Sequence, residues 1–320
     1  MKKAALIIFL FILSLISFSQ DIQFSHINQT KLYLNPAFAG AENLPGAVLG
    51  HRNFSPSEFG DYISYHASYQ QYVDVLEGGI GFQLINDRQS NGAISRIYSS
   101  GIYAYQFQVE NNIIVQAGLE ARYAHLSIRN KEFTFPNMFD PADWQVSGSG
   151  EYIPENLNNT RGSYLEFNAG AIMTYKNFMI RKYREFTVGL SVHHLNKPNT
   201  LLTHKDKRIK RRYNFYFDII IPLVNQRSKG FIPLLTPVLL IEKQGSNMNF
   251  SYGSYLSLSD FQMGIVFRHN HQFDYFNSIF YVGVDLTTFS IAYSYDASML
   301  SNMKKNPISG VHEVTLSINL

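Results

Sequence analysis

The chain has 320 residues, of which 16% are charged, 15% are aromatic and none is cysteine, and its 27 basic and 24 acidic side chains give a net charge of +3. An average soluble domain carries about 25% charged residues, so this composition favours a protein that exposes an apolar surface. The absence of cysteine excludes disulfide scaffolds, thiolate nucleophiles and cysteine-ligated zinc. The near-neutral charge argues against a nucleic-acid partner.

Residues 1–19 have the pattern of a secretory signal peptide. Two lysines precede an apolar run that ends at Ile16, and small residues near Ser19 predict cleavage before Gln20. A retained membrane anchor is the weaker alternative, because the apolar run is short for a membrane helix. No later segment offers about 18 uninterrupted apolar residues. The mature chain is therefore either soluble outside the cytoplasm or crosses the outer membrane as a closed sheet.

The mature N-terminal segment, residues 20–45, contains residues that favour turns but lacks the two-residue alternation of a strand. Asn35-Pro36 favours a turn because proline fixes its φ angle, and Gly40 permits a left-handed conformation. A plain turn into the first strand would satisfy this pattern. We nevertheless expect a plug or a partner-docking site with an aromatic anchor, made by Asn35, Pro36, Phe38 and Gly40.

From residue 46 onward the chain alternates with a period of two. Between Asn112 and Tyr123, apolar residues such as Leu119 fall on one face, while Glu120 and Arg122 fall on the other. Twelve residues that begin at Tyr164 repeat this pattern. We predict fourteen strands: 46–53, 59–70, 79–86, 94–108, 112–123, 164–175, 185–193, 213–222, 235–243, 247–257, 261–268, 275–286, 288–296 and 311–320.

The length and content of these strands favour a membrane barrel over a soluble sandwich, which also alternates. Many of the segments last about 8–12 residues, close to the 9–11 of a tilted membrane strand. Their polar faces carry Glu120, Arg122, Glu166 and Arg268, which suit a water-filled lumen better than a sandwich core. The expected fold is therefore all-β, a transmembrane antiparallel β-barrel of about 14 strands over residues 46–320.

A barrel of this size encloses more space than an eight-stranded barrel, which its own side chains fill. The N-terminal segment or an infolded loop 124–163 is expected to occupy that space. Arg52, near the top of the first strand, is expected to join the plug or docking site or to pair with a lumen carboxylate. Because barrels have long outer loops and short periplasmic turns, the segments 124–163 and 194–212 are predicted to lie outside.

A basic cluster lies in the second of these loops. A single acidic residue, Asp206, opposes it. Clustered positive charge attracts anions over about a Debye length, so the cluster could bind lipopolysaccharide phosphates or an acidic adhesin. A solvated loop without a ligand is the alternative. The predicted extracellular basic loop is made by Lys205, Lys207, Arg208, Lys210, Arg211 and Arg212.

No catalytic constellation is recognised in the sequence. It has no Gly-x-Ser-x-Gly, no His-Glu-x-x-His and no phosphate-binding loop. His269 and His271, with Asp274 nearby, have a spacing that could hold a metal, but a chance pairing in a short loop is the favoured interpretation. We expect a protein without enzymatic activity, without a cofactor and without a bound metal.

Several short elements together resemble one family. They occur in a fixed order: Asp21-Ile22-Gln23-Phe24-Ser25, Leu34-Asn35-Pro36-Ala37-Phe38-Ala39-Gly40, Gly78-Gly79-Ile80-Gly81, His194-Leu195-Asn196-Lys197-Pro198, Tyr293-Ser294-Tyr295-Asp296 and Gly310-Val311-His312-Glu313-Val314. The set resembles the PorP/SprF family of type IX secretion system membrane proteins. It spans the whole mature chain, from residue 20 to residue 314.

The resemblance implies an outer-membrane component of the type IX secretion or gliding machinery. Members of the family are thought to support the export or surface anchoring of proteins with C-terminal sorting domains. The implied partners are outer-membrane lipid, periplasmic ring or peptidoglycan-binding subunits and a secreted surface adhesin. The alternative is a diffusion or uptake channel for an apolar or oligomeric nutrient.

Overall fold

The computed structural model describes residues 21–41, 45–54, 61–129, 161–176, 185–199, 208–224, 232–286, 288–299 and 310–320. The predicted signal peptide lies outside these residues. Fourteen strands are present: β1 (Gly46–Phe54), β2 (Tyr62–Val73), β3 (Gly78–Gln89), β4 (Ile94–Glu110), β5 (Ile113–Ile128), β6 (Arg161–Lys176), β7 (Glu185–His193), β8 (Arg212–Pro222), β9 (Leu234–Gln244), β10 (Asn247–Leu258), β11 (Phe261–Asn270), β12 (Phe276–Asp285), β13 (Phe289–Ser298) and β14 (Val311–Asn319).

Among the described residues, helical structure is confined to short turns. One α-helical turn, α1 (Lys31–Leu34), precedes β1, and three 3-10 turns span Pro36–Phe38, Asp74–Leu76 and Ser90–Gly92. Within the described stretches, no helix combines the length and the hydropathy that crossing a bilayer requires.

The fourteen strands form one closed antiparallel barrel. Each strand pairs with its neighbours in sequence, and β1 pairs with β14 from Gly46 opposite Asn319 to Phe54 opposite Val311. The predicted fold class and strand number are therefore confirmed. We call the end where β1 begins and β14 ends the near end, and the end where β1 ends and β14 begins the far end.

The hairpin of β5 and β6 is longer than the sequence predicted. The alternation suggested a loop from residue 124, but β5 continues to Ile128 and β6 already begins at Arg161. Ala124 and Leu126 point inward and are buried. These two apolar residues break the polar-inside pattern, which made the end of the strand seem earlier than it is. Residues 130–160 of the predicted loop lie outside the described part of the chain.

The wall has an apolar outer face and a polar inner face, as the alternation predicts. On β5 and β6, Leu119 is 64% exposed and Leu165 is 50% exposed, whereas the intervening Glu120 and Glu166 are at most 2% exposed. Exposed apolar side chains around a closed sheet are the arrangement that acyl chains stabilise. The inner charges, however, do not face the water that the sequence analysis expected, because a segment of the chain covers them.

That covering segment is residues 21–41, called here the N-terminal segment. It runs along the inside of the barrel, from Asp21 beside Arg212 at the far end to Gly40 beside Gly79 at the near end. Ile22, Phe24, Ile27, Leu34 and Phe38 are buried, and with inward residues of the wall they form the main hydrophobic core of the molecule. The core thus lies within the lumen, between the segment and the wall.

Candidate functional site

Asn35 fixes the centre of the N-terminal segment against the wall. Its Nδ2 donates to the carbonyl oxygens of Ala171 on β6 at 3.1 Å and Leu190 on β7 at 3.0 Å. Its Oδ1 accepts from the backbone N–H of Ala37 at 2.9 Å and caps the 3-10 turn that Pro36 opens. One side chain therefore both shapes the turn and attaches it to two strands.

Glycines on the inner wall provide the space for this turn. A Cβ atom at Gly118 would collide with the backbone of Pro36 and Ala37, and one at Gly170 would collide with the side chain of Asn35. At the near end, a Cβ atom at Gly79 would collide with the carbonyl oxygen of Ala39. Strands β3, β5 and β6 thus each contribute a glycine where the segment approaches the wall most closely.

Replacing Gly170 by valine should displace the N-terminal segment. The new side chain would occupy the position of the Asn35 amide, whose buried hydrogen bonds would be lost at a cost of about 1–3 kcal/mol. We expect faster cleavage of the segment by an added protease in detergent. Gly101→Val is the matched control, because a Cβ atom at Gly101 meets nothing within 4 Å. Equal cleavage of the two variants would contradict the close contact between Gly170 and the Asn35 side chain.

The carbonyl oxygen of Leu34 is a second attachment point. It accepts hydrogen bonds from Ser191 Oγ at 2.6 Å and Asn214 Nδ2 at 2.8 Å, and His193 Nε2 lies 3.0 Å away. These three side chains come from β7 and β8 and are almost fully buried. The last carbonyl of α1, which the helix itself leaves without a partner, is therefore satisfied by the wall.

Phe38 and Lys31 contact the wall beside this point. The ring of Phe38 packs edge-on against Tyr216, with 5.4 Å between the ring centroids. Lys31 Nζ lies 3.2 Å from the Asp218 carboxylate and 5.7 Å from the centroids of both rings. Phe38 thus contacts the chain's own barrel, and its predicted role as an anchor of a plug or docking site stays a prediction.

A buried ionic network joins the far end of the segment to the wall. Asp21 lies 3.1 Å from Arg212 and 2.8 Å from His194 Nε2. The opposite nitrogen of His194 contacts Glu166 at 2.6 Å, and Arg122 then bridges Glu166 at 3.1 Å and Glu120 at 2.8 Å. With His194 protonated, three carboxylates balance three cations. Mutual pairing of this kind offsets the cost of burying the charges.

The same contacts determine the pKa values at this end of the segment. Burial alone would lower the pKa of His194, but the carboxylates of Asp21 and Glu166 outweigh it and raise the pKa to about 9. Burial alone would raise the pKa of Asp21, but His194 and Arg212 outweigh it and hold that pKa well below its usual value. Near neutral pH both residues are therefore charged and attract each other.

The attachment of the segment should weaken at high pH. His194 is protonated more readily in the folded state, so its stabilisation is complete below its ordinary pKa of about 6.5 and is lost as the pH rises through about 9. Because the pKa of Asp21 is lowered in the folded state, the stabilisation that its carboxylate gives is lost when acid protonates it. Protease cleavage of the segment, measured between pH 6 and pH 10, should rise with pH. His194→Gln should remove that rise, and an unchanged profile would contradict the assignment.

A second set of contacts holds the segment to the opposite wall. The backbone N–H groups of Ser25 and His26 donate to the Glu313 carboxylate at 2.8 and 3.3 Å. Arg268 donates to the carbonyl oxygen of Phe24 at 2.6 Å. Arg52 Nε lies 3.9 Å from Glu313. Arg52 thus faces a lumen carboxylate, and its predicted part in a plug or docking site stays a prediction.

The predicted basic loop is only partly described. Lys205 and Lys207 lie outside the described residues, whereas Arg208 and Lys210 are exposed beyond the far end of β8. Arg211 donates to the carbonyl oxygen of Leu195 at 2.9 Å. Anion binding by the exposed members stays a prediction.

Arg212 was wrongly assigned to this surface. It begins β8, and its guanidinium is buried in the lumen, where Nη1 donates to the Tyr33 hydroxyl at 2.8 Å. The strand alternation turns this side chain inward, toward Asp21. Because Arg212 directly follows other basic residues in the sequence, it was grouped with the loop although its side chain points into the lumen.

Asn35, Pro36 and Phe38 are buried inside the barrel. This position favours the plug interpretation of the element, and docking of an external partner on it stays a prediction. Asp21, His194, Gly118 and Gly170 were not singled out as site residues. Within the described residues, no three His, Asp or Glu side chains are grouped in a way that could hold a metal ion. His269 stacks instead on the ring of Phe273 with 4.2 Å between centroids.

Comparison with known proteins gives one family and a set of barrels. The family described as type IX secretion system membrane protein PorP/SprF matches residues 16–318. A comparison with curated proteins gives no match. Among solved structures, the chain is similar to a FadL homologue of Pseudomonas aeruginosa, at 10% identity and a TM-score of 0.44 over 89% of this chain and 92% of that one.

Two further solved barrels are similar at the same level. The toluene transporter TodX of Pseudomonas putida is 8% identical, with a TM-score of 0.45 over 91% of this chain and 92% of that one. BamA of Haemophilus ducreyi lacking POTRA domains 1–3 is 10% identical, with a TM-score of 0.40 over 86% of this chain and 70% of that one.

Proposed function

The chain belongs to the PorP/SprF family of type IX secretion system membrane proteins, and from this premise we propose that it supports the export or surface anchoring of proteins with C-terminal sorting domains. It is an outer-membrane component of that system. In this proposal it acts without enzymatic activity, as a scaffold that periplasmic ring or peptidoglycan-binding subunits contact from one side and a secreted adhesin contacts from the other.

The observation that supports a scaffold rather than a channel is the occupied lumen. The N-terminal segment bonds to β6, β7 and β8 through Asn35, Leu34 and Asp21, and it bonds to β11 and β14 through Phe24 and Ser25. Buried ion pairs and hydrogen bonds hold it on both sides. A diffusion channel for a nutrient needs an open path, and the described residues fill that path with a hydrophobic core.

The two ends of the barrel would then have separate roles. Barrels of this class place short turns in the periplasm and longer loops outside, which assigns the near end to the periplasm and the far end to the cell surface. The short connections of the near end, such as Asn111–Asn112 between β4 and β5, would face the secretion machinery. The basic residues Arg208 and Lys210 would face the exported protein or lipopolysaccharide.

Deletion of the gene followed by complementation tests this proposal. In the deletion strain, proteins with C-terminal sorting domains should be lost from the surface, as measured by antibody labelling of intact cells. The wild-type gene should restore them. Normal surface display together with reduced uptake of an apolar or oligomeric nutrient would reject the scaffold and favour the channel.

A further inference from the structure

The outer part of β6 has one edge that no described strand pairs with. β6 is sixteen residues long, but β7 pairs with it only from Ala169 opposite Val192 to Lys176 opposite Glu185. On its other side, β6 pairs with β5 as far as Arg161. The first eight residues of β6 thus project beyond β7 at the far end.

A strained turn carries the chain away from this edge. After β7, His194 has φ 58° and Lys197 has φ 45°, and this left-handed region is uncommon for residues other than glycine. The buried contacts of His194 with Asp21 and Glu166 hold the turn in place. Backbone strain that the surrounding structure maintains is typical of functional sites.

The side chain of Asn196 takes the place of a strand for one step of the ladder. Its Nδ2 donates to the carbonyl oxygen of Leu165 at 2.8 Å, and its Oδ1 accepts from the N–H of Phe167 at 3.4 Å. The N–H of Leu195 donates to the carbonyl oxygen of Phe167 at 3.0 Å. These bonds show that the odd-numbered residues of β6 direct their backbone groups toward this edge.

In the part of the chain that the structure describes, the remaining groups of the edge have no such substitute. By the same alternation, the N–H of Leu165 and both backbone groups of Ser163 and Arg161 point to the open side, and no described residue pairs with them there. An exposed strand edge is a template for another strand, and strand addition is a recurring way of recognising extended peptides.

The turn that contacts this edge through Asn196, and the residues before β8 that bridge to this turn, carry basic side chains. Arg161, Lys197 and Arg208 are exposed, and the described residues 161–165, 194–199 and 208–212 include no acidic side chain. We propose that the outer edge of β6, from Arg161 to Leu165, binds an extended acidic strand of the exported partner by β-strand addition. That the bound strand belongs to the exported partner rests on the proposed function, whereas the open edge and its basic charge do not depend on it.

Two substitutions at one position test the edge. Because the N–H of Ser163 points away from β5, Ser163→Pro removes a donor from the open edge and leaves the ladder to β5 intact. Ser163→Ala is the matched control, since both variants lose the 2.8 Å contact between Ser163 Oγ and His125. The probe is a fluorescent ten-residue peptide in which Glu alternates with Val, and its binding to the full chain in detergent is followed by fluorescence anisotropy.

We expect saturable binding to the wild type and to Ser163→Ala, and binding about five- to tenfold weaker to Ser163→Pro, as the loss of a ladder hydrogen bond implies. A peptide in which Lys replaces Glu should bind more weakly than the Glu peptide. Equal affinity of the two variants, or no saturable binding to the wild type, would overturn the proposal. So would a wild-type dimer that Ser163→Pro dissociates, because the edge would then serve a second copy of the chain.

The peptide assay and the cell assay can reject the two proposals independently. If Ser163→Pro weakens peptide binding but gene deletion leaves sorting-domain proteins on the surface, the edge is a strand-binding site and the export role is wrong. If deletion abolishes surface display but the two variants bind the peptide equally, the export role stands and the edge is rejected.

Discussion

Deletion of residues 21–41 should convert a closed barrel into an open pore. The segment fills the lumen with Ile22, Phe24, Leu34 and Phe38, and the wall of fourteen strands is too wide for its own side chains to fill the interior. Without the segment, inner charges such as Glu120 would be exposed to water. We expect stable single-channel conductance of the deletion variant in planar bilayers, and little or none for the full chain.

The deletion variant must be shown to assemble before its conductance is interpreted. A folded barrel migrates differently on a gel before and after boiling, so heat-dependent mobility is the control. Gly101→Val, whose added Cβ atom meets nothing within 4 Å, should remain as closed as the wild type. An assembled deletion variant that conducts no better than the full chain would show that another part of the chain closes the lumen.

Replacing Arg122 by methionine should cause a large loss of stability. The Arg122 guanidinium pairs with Glu120 and Glu166 and lies over the ring of Tyr33 at 5.6 Å, and it is only 3% exposed. Methionine keeps much of the volume but leaves two buried carboxylates without their shared cation. Loss of one partner from a buried pair costs about 3–5 kcal/mol. The temperature at which the barrel loses its heat-dependent gel mobility should therefore fall markedly.

A matched variant and a rescue test this interpretation. Arg161→Met removes an exposed arginine from the neighbouring strand and should change stability by less than about 0.5 kcal/mol. Glu166 keeps His194 as a partner, so replacing Glu120 alone by glutamine in the Arg122→Met background removes the carboxylate left without a cation and should restore part of the loss. A single variant as stable as Arg161→Met would show that water or another cation already compensates the carboxylates.

The strands of the wall could be predicted from the sequence because their alternation depends only on residues that are close together in the chain. Successive side chains of a strand face opposite sides, so Leu119 and Glu120 could be assigned to lipid and lumen without knowing their neighbours. The same rule gave the strand number. It failed at Ala124 and Leu126, where the buried inner face is apolar, and a hydropathy pattern cannot distinguish such residues from the start of a loop.

The contacts of the N-terminal segment could not be predicted, since they depend on residues far apart in the chain. Asp21 meets His194 and Arg212 across more than 170 positions, and no local pattern links them. Gly118 and Gly170 are ordinary strand glycines until the turn at Asn35 is placed against them. The Asn35-Pro36 turn itself was predictable, because its chemistry lies within a few residues.

The direction of the N-terminal segment determines how many times the polypeptide traverses the bilayer plane. Asp21 lies at the far end beside Arg212, and Gly40 lies at the near end beside Gly79, so this stretch adds a fifteenth passage to the fourteen strands. With an odd total, Asp21 and Leu320 lie at opposite ends of the barrel. In the proposed orientation, with the near end in the periplasm, we expect a tag fused just ahead of Asp21 to be displayed to the medium and one fused after Leu320 to stay in the periplasm.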